Sequence, residues 1–260
     1  NSRTKKLKTD IRLAKKFCKS QRVYGAESYI RGFSGHVVDL LVIKYGGFIP
    51  LLRAASKWKG QTVIDIPNKY KGKALMMMNK SKTTGPLILV DPVQPERNAA
   101  ASLTEQNYDR FIHAAKTFLA KPSDRFFSKQ PVDFDALSKK GALIRVEALA
   151  HDGNDDVVGT KILKFFEYLR DSLEDAGFKV DRSNWEWTTS APKQSSGKKQ
   201  AMLWYLTQTT LPPTRTVMGP PVAIQKHAIA FKKKYRKVKT VKGRLIATVK
   251  NDVRSPNAIV

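Results

Sequence analysis

The chain has 260 residues, of which 48 are Lys or Arg and 22 are Asp or Glu, a formal charge of +26. So large an excess works against folding, because like charges repel more as a chain compacts, and it points to a polyanionic partner such as a nucleic acid backbone. One cysteine excludes an internal disulfide or a thiolate metal cage, four dispersed histidines leave zinc without ligands, and no apolar run approaches the ~20 residues that span a bilayer.

Residues 1–8, with Arg3, Lys5, Lys6 and Lys8, read as a solvated entry. Asp10 is expected to cap a helix to about Lys19 that sets Ile11, Ala14, Phe17 and Cys18 on one side. Val37–Ile43 is apolar nearly all round, follows a potential Ser34 cap and ends at Gly46-Gly47, so it reads as a buried helix. Phe48, Leu51, Leu52, Ala55 and Trp58 mark the next amphipathic helix. A basic, loop-rich stretch follows with Lys69, Lys71, Lys73, Lys80 and Lys82, and then Leu87–Val90 as a short strand. Ser102 and Glu105 have capping-box spacing ahead of the stripe Tyr108, Phe111, Ile112, Ala115, Phe118 and Leu119, which Pro122 stops.

Beyond residue 126 the pattern changes. Ala142–Ala148 alternates like a strand, and Val157–Ala176 reads as a helix closed by Gly177. Strands are expected at Phe178–Trp187 and Ala201–Gln208 on either side of a polar linker at 190–199. A basic helix near 223–236 and a strand at Leu245–Val249 complete the series. This order predicts an α+β fold: a helical N-terminal domain (1–125) and an antiparallel-sheet C-terminal domain (126–260), with helices on one face as in ferredoxin-like, RRM-like RNA-binding folds.

Residues 221–260 hold 11 Lys and Arg against one acid, Asp252. The densest part is Lys232, Lys233, Lys234, Arg236 and Lys237, around Tyr235. Cations favour a helix C-terminus, but this cluster exceeds what one helix end needs and reads as a phosphate-tracking RNA face.

Catalytic patterns are weak. Gly32-Phe33-Ser34-Gly35-His36 approaches a nucleophile elbow, but His36 replaces its second Gly. Asp152, Asn154 and Asp156 open like a calcium loop, yet Val157 replaces the Gly and Leu163 the bidentate Glu. Asp133-Phe134-Asp135 follows no Gly-Ser phosphate loop and reads as a helix cap. No catalytic or metal-ligating set is assigned to the chain.

The segments Val23-Tyr24-Gly25-Ala26-Glu27 and Arg31-Gly32-Phe33-Ser34-Gly35 resemble the archaeal-type (class I) CCA-adding enzymes, the tRNA nucleotidyltransferases. The likeness continues through Asp91-Pro92-Val93, Pro95, Arg97-Asn98, Phe118-Leu119 and Pro122-Ser123. It resumes at Gly177–Val180, Gly219-Pro220-Pro221-Val222, His227, Phe231, Lys242-Gly243-Arg244-Leu245 and Val249-Lys250. The chain begins with Asn, and the resemblance implies a nucleotidyltransferase head upstream that holds Mg2+, leaving neck (1–125) and body with tail (126–260) here. It further implies that Lys15 or Lys16, with Tyr24, contacts the triphosphate of CTP or ATP and that Arg97 helps select C or A. The body and tail would clamp the acceptor stem and T arm of tRNA. A cytoplasmic, membrane-free protein able to form a homodimer, and inactive without the head, is the expectation. The sequence leaves open a stand-alone RNA-binding module and a poly(A)- or oligoadenylate-type polymerase. Asp39 in place of a glutamate, Thr207 and Gln208 at a usually acidic strand end, and the long basic insert at 69–82 depart from the family.

Overall fold

A computed structural model describes residues 2–188 and 200–260. The linker expected at 190–199 lies outside the described residues. Two units separate, residues 1–132 and 133–260.

In the first unit, α1 (Ser2–Ser20) starts eight residues before Asp10. The entry expected to be merely solvated is helical because Lys, Arg and Leu are good helix formers, and Leu7 rests against the core. Ser34 accepts a hydrogen bond from Val37 N to open α2 (Gly35–Tyr45), and Gly46 closes it in the left-handed region at φ 79°. α3 spans Phe48–Ala55. α5 spans Glu105–Ala120, and its cap is Thr104, which accepts from Asn107 N. The capping box expected at Ser102 does not form, because buried Leu103 takes the chain through the core just before the helix starts. Helices α1, α2, α3 and α5 enclose one core centred on fully buried Phe17. That core also holds Cys18, whose thiol burial pushes up to about 12. Cys18 is therefore expected to resist a thiol reagent such as DTNB in the native protein and to react fully in denaturant. Rapid native labelling would show that the α1 packing opens.

Two short strands unseen as a pair complete this unit. β1 (Thr62–Asp65) lies parallel to β2 (Leu87–Val90), in register from Thr62↔Leu87 to Asp65↔Val90. β2 is buried along its whole length, as its unbroken apolar run requires. Between them, α4 (Ala74–Met77) and a 3-10 turn at Lys80–Lys82 structure the basic insert.

The second unit opens with α6 (Phe134–Ser138), capped by Asp133 through Ala136 N, so this carboxylate serves a helix start. β3 (Ala142–Leu149), α7 (Asp155–Asp175), β4 (Val180–Thr188) and β5 (Gln200–Thr207) follow. Their antiparallel sheet has the order β3-β5-β4. Ile162, Phe166, Leu169 and Leu173 of α7 are buried against Ile144, Leu203 and Tyr205. Phe166 and Tyr205 stack at 5.2 Å, and the Tyr205 hydroxyl donates to Phe166 O at 2.9 Å. The α+β class and the antiparallel sheets agree with expectation, but the last helix and strand do not join this sheet. β8 (Arg244–Lys250) pairs instead with β6 (Thr214–Pro221) and β7 (Val238–Val241) in a second sheet, β6-β8-β7. The expected basic helix is α8 (Gln225–Lys234), which packs on β6 through Phe231. A Cβ at Gly219 would stand 2.8 Å from the Phe231 ring, so only glycine lets helix and strand approach this closely.

Candidate nucleic-acid and nucleotide interface

In the first unit, side chains from α1, the loop after it and the loop after β2 gather around the start of α2. Tyr24 is fixed by its backbone: it bridges Phe33, with Gly25 N donating to Phe33 O at 2.9 Å and Phe33 N to Val23 O at 2.7 Å. This brings Tyr24 beside the Ser34 cap. A Cβ built on Gly35 would lie 2.9 Å from Tyr24 Oη and 3.6 Å from Lys15 Nζ, so hydroxyl and ammonium converge over the first residue of α2. Lys19, one turn beyond Lys15, holds its Nζ 5.0 Å from the Tyr24 ring centroid.

Lys15 and Lys16, equivalent in sequence, are now distinguished. Lys15 is partly buried and lies 2.8 Å from Asp39 Oδ1 and 3.1 Å from Oδ2, whereas Lys16 is exposed. At about one-third exposure of both partners, such an ion pair contributes only about 0–1 kcal/mol, so Lys15 can exchange Asp39 for a stronger anion at little cost.

Arg97 reaches the same region through Asp91. Asp91 follows β2, its side chain is buried, and its Oδ1 accepts from Val93 N at 2.9 Å and Gln94 N at 3.3 Å. Its Oδ2 meets His36 Nε2 at 3.3 Å and Arg97 Nη1 at 4.0 Å. Burial would raise the Asp91 pKa, but the two backbone N–H donors and His36 outweigh it and hold the carboxyl below its usual value. Asp91 thus joins α2 to the Arg97 loop as an anion, while the Arg97 side chain stays 60% exposed, free to meet a ligand. Buried Asn98 fixes the loop's far end: Oδ1 accepts from Leu89 N and Ala100 N, and Nδ2 donates to Leu87 O and Lys82 O.

Sequence reasoning named Lys15, Lys16, Tyr24 and Arg97 but gave no binding role to His36, Asp91 or Lys19. The Lys15-to-Lys19 step, one helical turn, was the only signal for Lys19. An open cleft of about 690 Å³, lined by Arg31, Gln61 and Thr104 among others, contains none of these residues. Among the described residues, no three His, Cys, Asp or Glu side chains gather as a metal site. The magnesium implied by the family therefore finds no fitting ligand set there.

In the second unit, Lys232, Lys233 and Lys234 form the last turn of α8, and Arg236 and Lys237 follow on the way to β7. All five are exposed, as are Lys239, Lys242, Arg244 and Lys250 of the β7–β8 hairpin. Tyr235 stands among them, 4.6 Å from the Phe231 ring and 5.5 Å below Lys234 Nζ. Aromatic rings interleaved with exposed cations suit a nucleic acid strand. No helix among the described residues is long and apolar enough to cross a membrane.

Residues 9–128 match the family model described as the second domain of tRNA nucleotidyltransferase, and residues 141–260 match the C-terminal domain of the CCA-adding enzyme. The chain is 33% identical over 251 residues to a protein from Methanosarcina mazei named CCA-adding enzyme, covering 93% of this chain and 51% of that one. Proteins of the same name from Pyrobaculum aerophilum and Methanoregula boonei are 36% and 32% identical, over 82% and 88% of this chain and 46% and 48% of theirs. The chain spans about half the length of the curated relatives it matches.

Proposed function

Because the chain belongs to the CCA-adding enzyme family, we propose that it grips the incoming nucleotide and the tRNA during the addition of C, C and A from CTP and ATP. The observation that carries this reading is the convergence of Lys15 Nζ and Tyr24 Oη on Gly35, at the N-terminus of α2. Backbone N–H groups at a helix start attract anions, and here a releasable ammonium and a hydroxyl stand beside them. A triphosphate placed there takes Lys15 from Asp39, accepts a hydrogen bond from Tyr24 and lies within reach of Lys19. The Arg97 guanidinium, tethered by Asp91, presents a planar fork to a base edge. In the reaction the 3′ oxygen of the RNA bonds to the α-phosphorus and pyrophosphate leaves. In that step the chain's part is to bind and orient the nucleotide and the RNA end. The exposed cations from Lys232 to Lys237 follow the phosphates of the acceptor stem and T arm.

Binding of labelled CTP in the presence of tRNA lacking its CCA end tests the nucleotide site. Lys15→Met and Tyr24→Phe are each expected to weaken CTP about 10-fold, the value of a charge-assisted hydrogen bond, while Lys16→Met leaves it unchanged. A larger loss at Lys16 than at Lys15 would move the triphosphate away from Gly35 and overturn the site.

A further inference from the structure

The segment between β1 and β2 carries charge that this site leaves unused. No Asp or Glu occurs from Ile66 to Val90, while Lys69, Lys71, Lys73, Lys80 and Lys82 are all exposed. Among the described residues, no ion pair engages any of the five. Their mutual repulsion opposes packing, yet their backbone is firmly tied down. The Asp65 carboxylate accepts from Lys69 N at 3.1 Å and Tyr70 N at 2.7 Å. Tyr70, Ala74 and Met78 are buried against Ile88 and Val90.

Between the lysines, α4 turns Leu75, Met76 and Met77 outward at 46, 84 and 63% exposure. An apolar tip ringed by cations suits a partner that is anionic along its backbone and apolar on its faces. Position selects among such partners. The Tyr70 hydroxyl donates to Pro95 O at 2.9 Å, and Asn98 Nδ2 donates to Lys82 O at 3.1 Å. The insert is therefore bonded at both ends to the loop that carries Arg97.

From this placement we infer that residues 67–82 form an RNA-tracking arm beside the nucleotide site. Its lysines neutralise phosphates near the 3′ end of the acceptor strand, and Leu75, Met76 and Met77 lie against ribose and base faces. The inference rests on the reading that the RNA end reaches Arg97.

The test is binding of the whole chain to an acceptor-stem minihelix lacking CCA, across a range of KCl concentrations. The variant is Lys69→Gln, Lys73→Gln, Lys80→Gln and Lys82→Gln together; Lys71 is left in place because it holds φ 45°. At about 0.7–0.9 of slope per phosphate, log K against log salt should flatten by at least about 2, and the matching Lys→Arg set should restore it. An unchanged slope, with normal binding by the unsubstituted chain, overturns the arm alone. No binding by the unsubstituted chain overturns both arm and proposed function. Polyglutamate competing as strongly as RNA would assign the arm to an acidic protein and overturn it. Should the Gln set unfold the chain, Met76→Ser with Met77→Ser, both exposed, decides: the arm requires about 3-fold weaker binding, and unaltered affinity counts against it.

Discussion

Phe17→Ala is expected to destabilise the N-terminal unit by about 3–5 kcal/mol, the largest single-residue effect in the chain. Phe17 is fully buried and its ring meets those of Phe48, Phe111, Phe118, Phe126 and Phe127 at centroid distances of 5.5–6.1 Å. These rings come from α3, α5 and the 3-10 turn at Asp124–Phe127, so no single neighbour can move in to fill the void. Lost transfer energy and a residual cavity therefore add. The effect also reaches function, because Phe17 follows Lys15 on α1 by two residues and anchors the helix that aims the ammonium at Gly35. Urea unfolding followed by tryptophan fluorescence should show the loss, with CTP binding weakened in parallel. Phe17→Leu, which keeps most of the volume, should cost about half as much. A loss below about 1 kcal/mol for the alanine variant would show that the five-ring cluster repacks, contrary to the close contacts seen.

The same dense packing explains what could be read from sequence. α5 was legible because Tyr108, Phe111, Ile112, Ala115 and Phe118 repeat at helical spacing and all face one core. Its start was not: Ser102 and Glu105 fit a local spacing rule, while burial of Leu103, a tertiary demand, moved the cap to Thr104. β1 escaped notice because four residues with mixed burial carry too little periodicity, and its parallel partner β2 lies 25 residues on. β6 ends in Gly219-Pro220-Pro221, a turn signal by composition, yet it pairs with β8 from Thr214 onward. Without β6 and β7, the sequence pattern assigns β8 to the first sheet, whereas it forms the centre of the second. In the candidate site, Lys15, Lys16, Tyr24 and Arg97 came from the family resemblance. The Asp91 link between His36 and Arg97 spans 55 residues on one side and depends on burial that spacing does not reveal. Telling Lys15 from Lys16 likewise requires knowing which side of α1 faces Asp39.

Neutralising Lys232, Lys233, Lys234, Arg236 and Lys237 together to Gln is expected to weaken tRNA binding at least about 100-fold at 50 mM salt. If all five meet phosphates, the salt slope should flatten by about 3.5–4.5. A purely structural role for the cluster predicts a different pattern. Lys232–Lys234 occupy the last turn of α8, where each cation can contribute about 0.3–1 kcal/mol through the helix dipole. Lys234 adds about 0.5–1 kcal/mol over the Tyr235 ring. If the charges served only the helix end, the variant would melt earlier and keep its slope. If they track RNA, the slope falls whatever the change in melting, because Phe231 still holds α8 against β6. Charge loss elsewhere supplies the control: Lys161→Gln with Lys164→Gln, both exposed on α7, lowers net charge without touching the cluster and should move the slope by less than about 1. Equal flattening by the control set would reduce the cluster to a share of the overall field and remove its claim to be the RNA face.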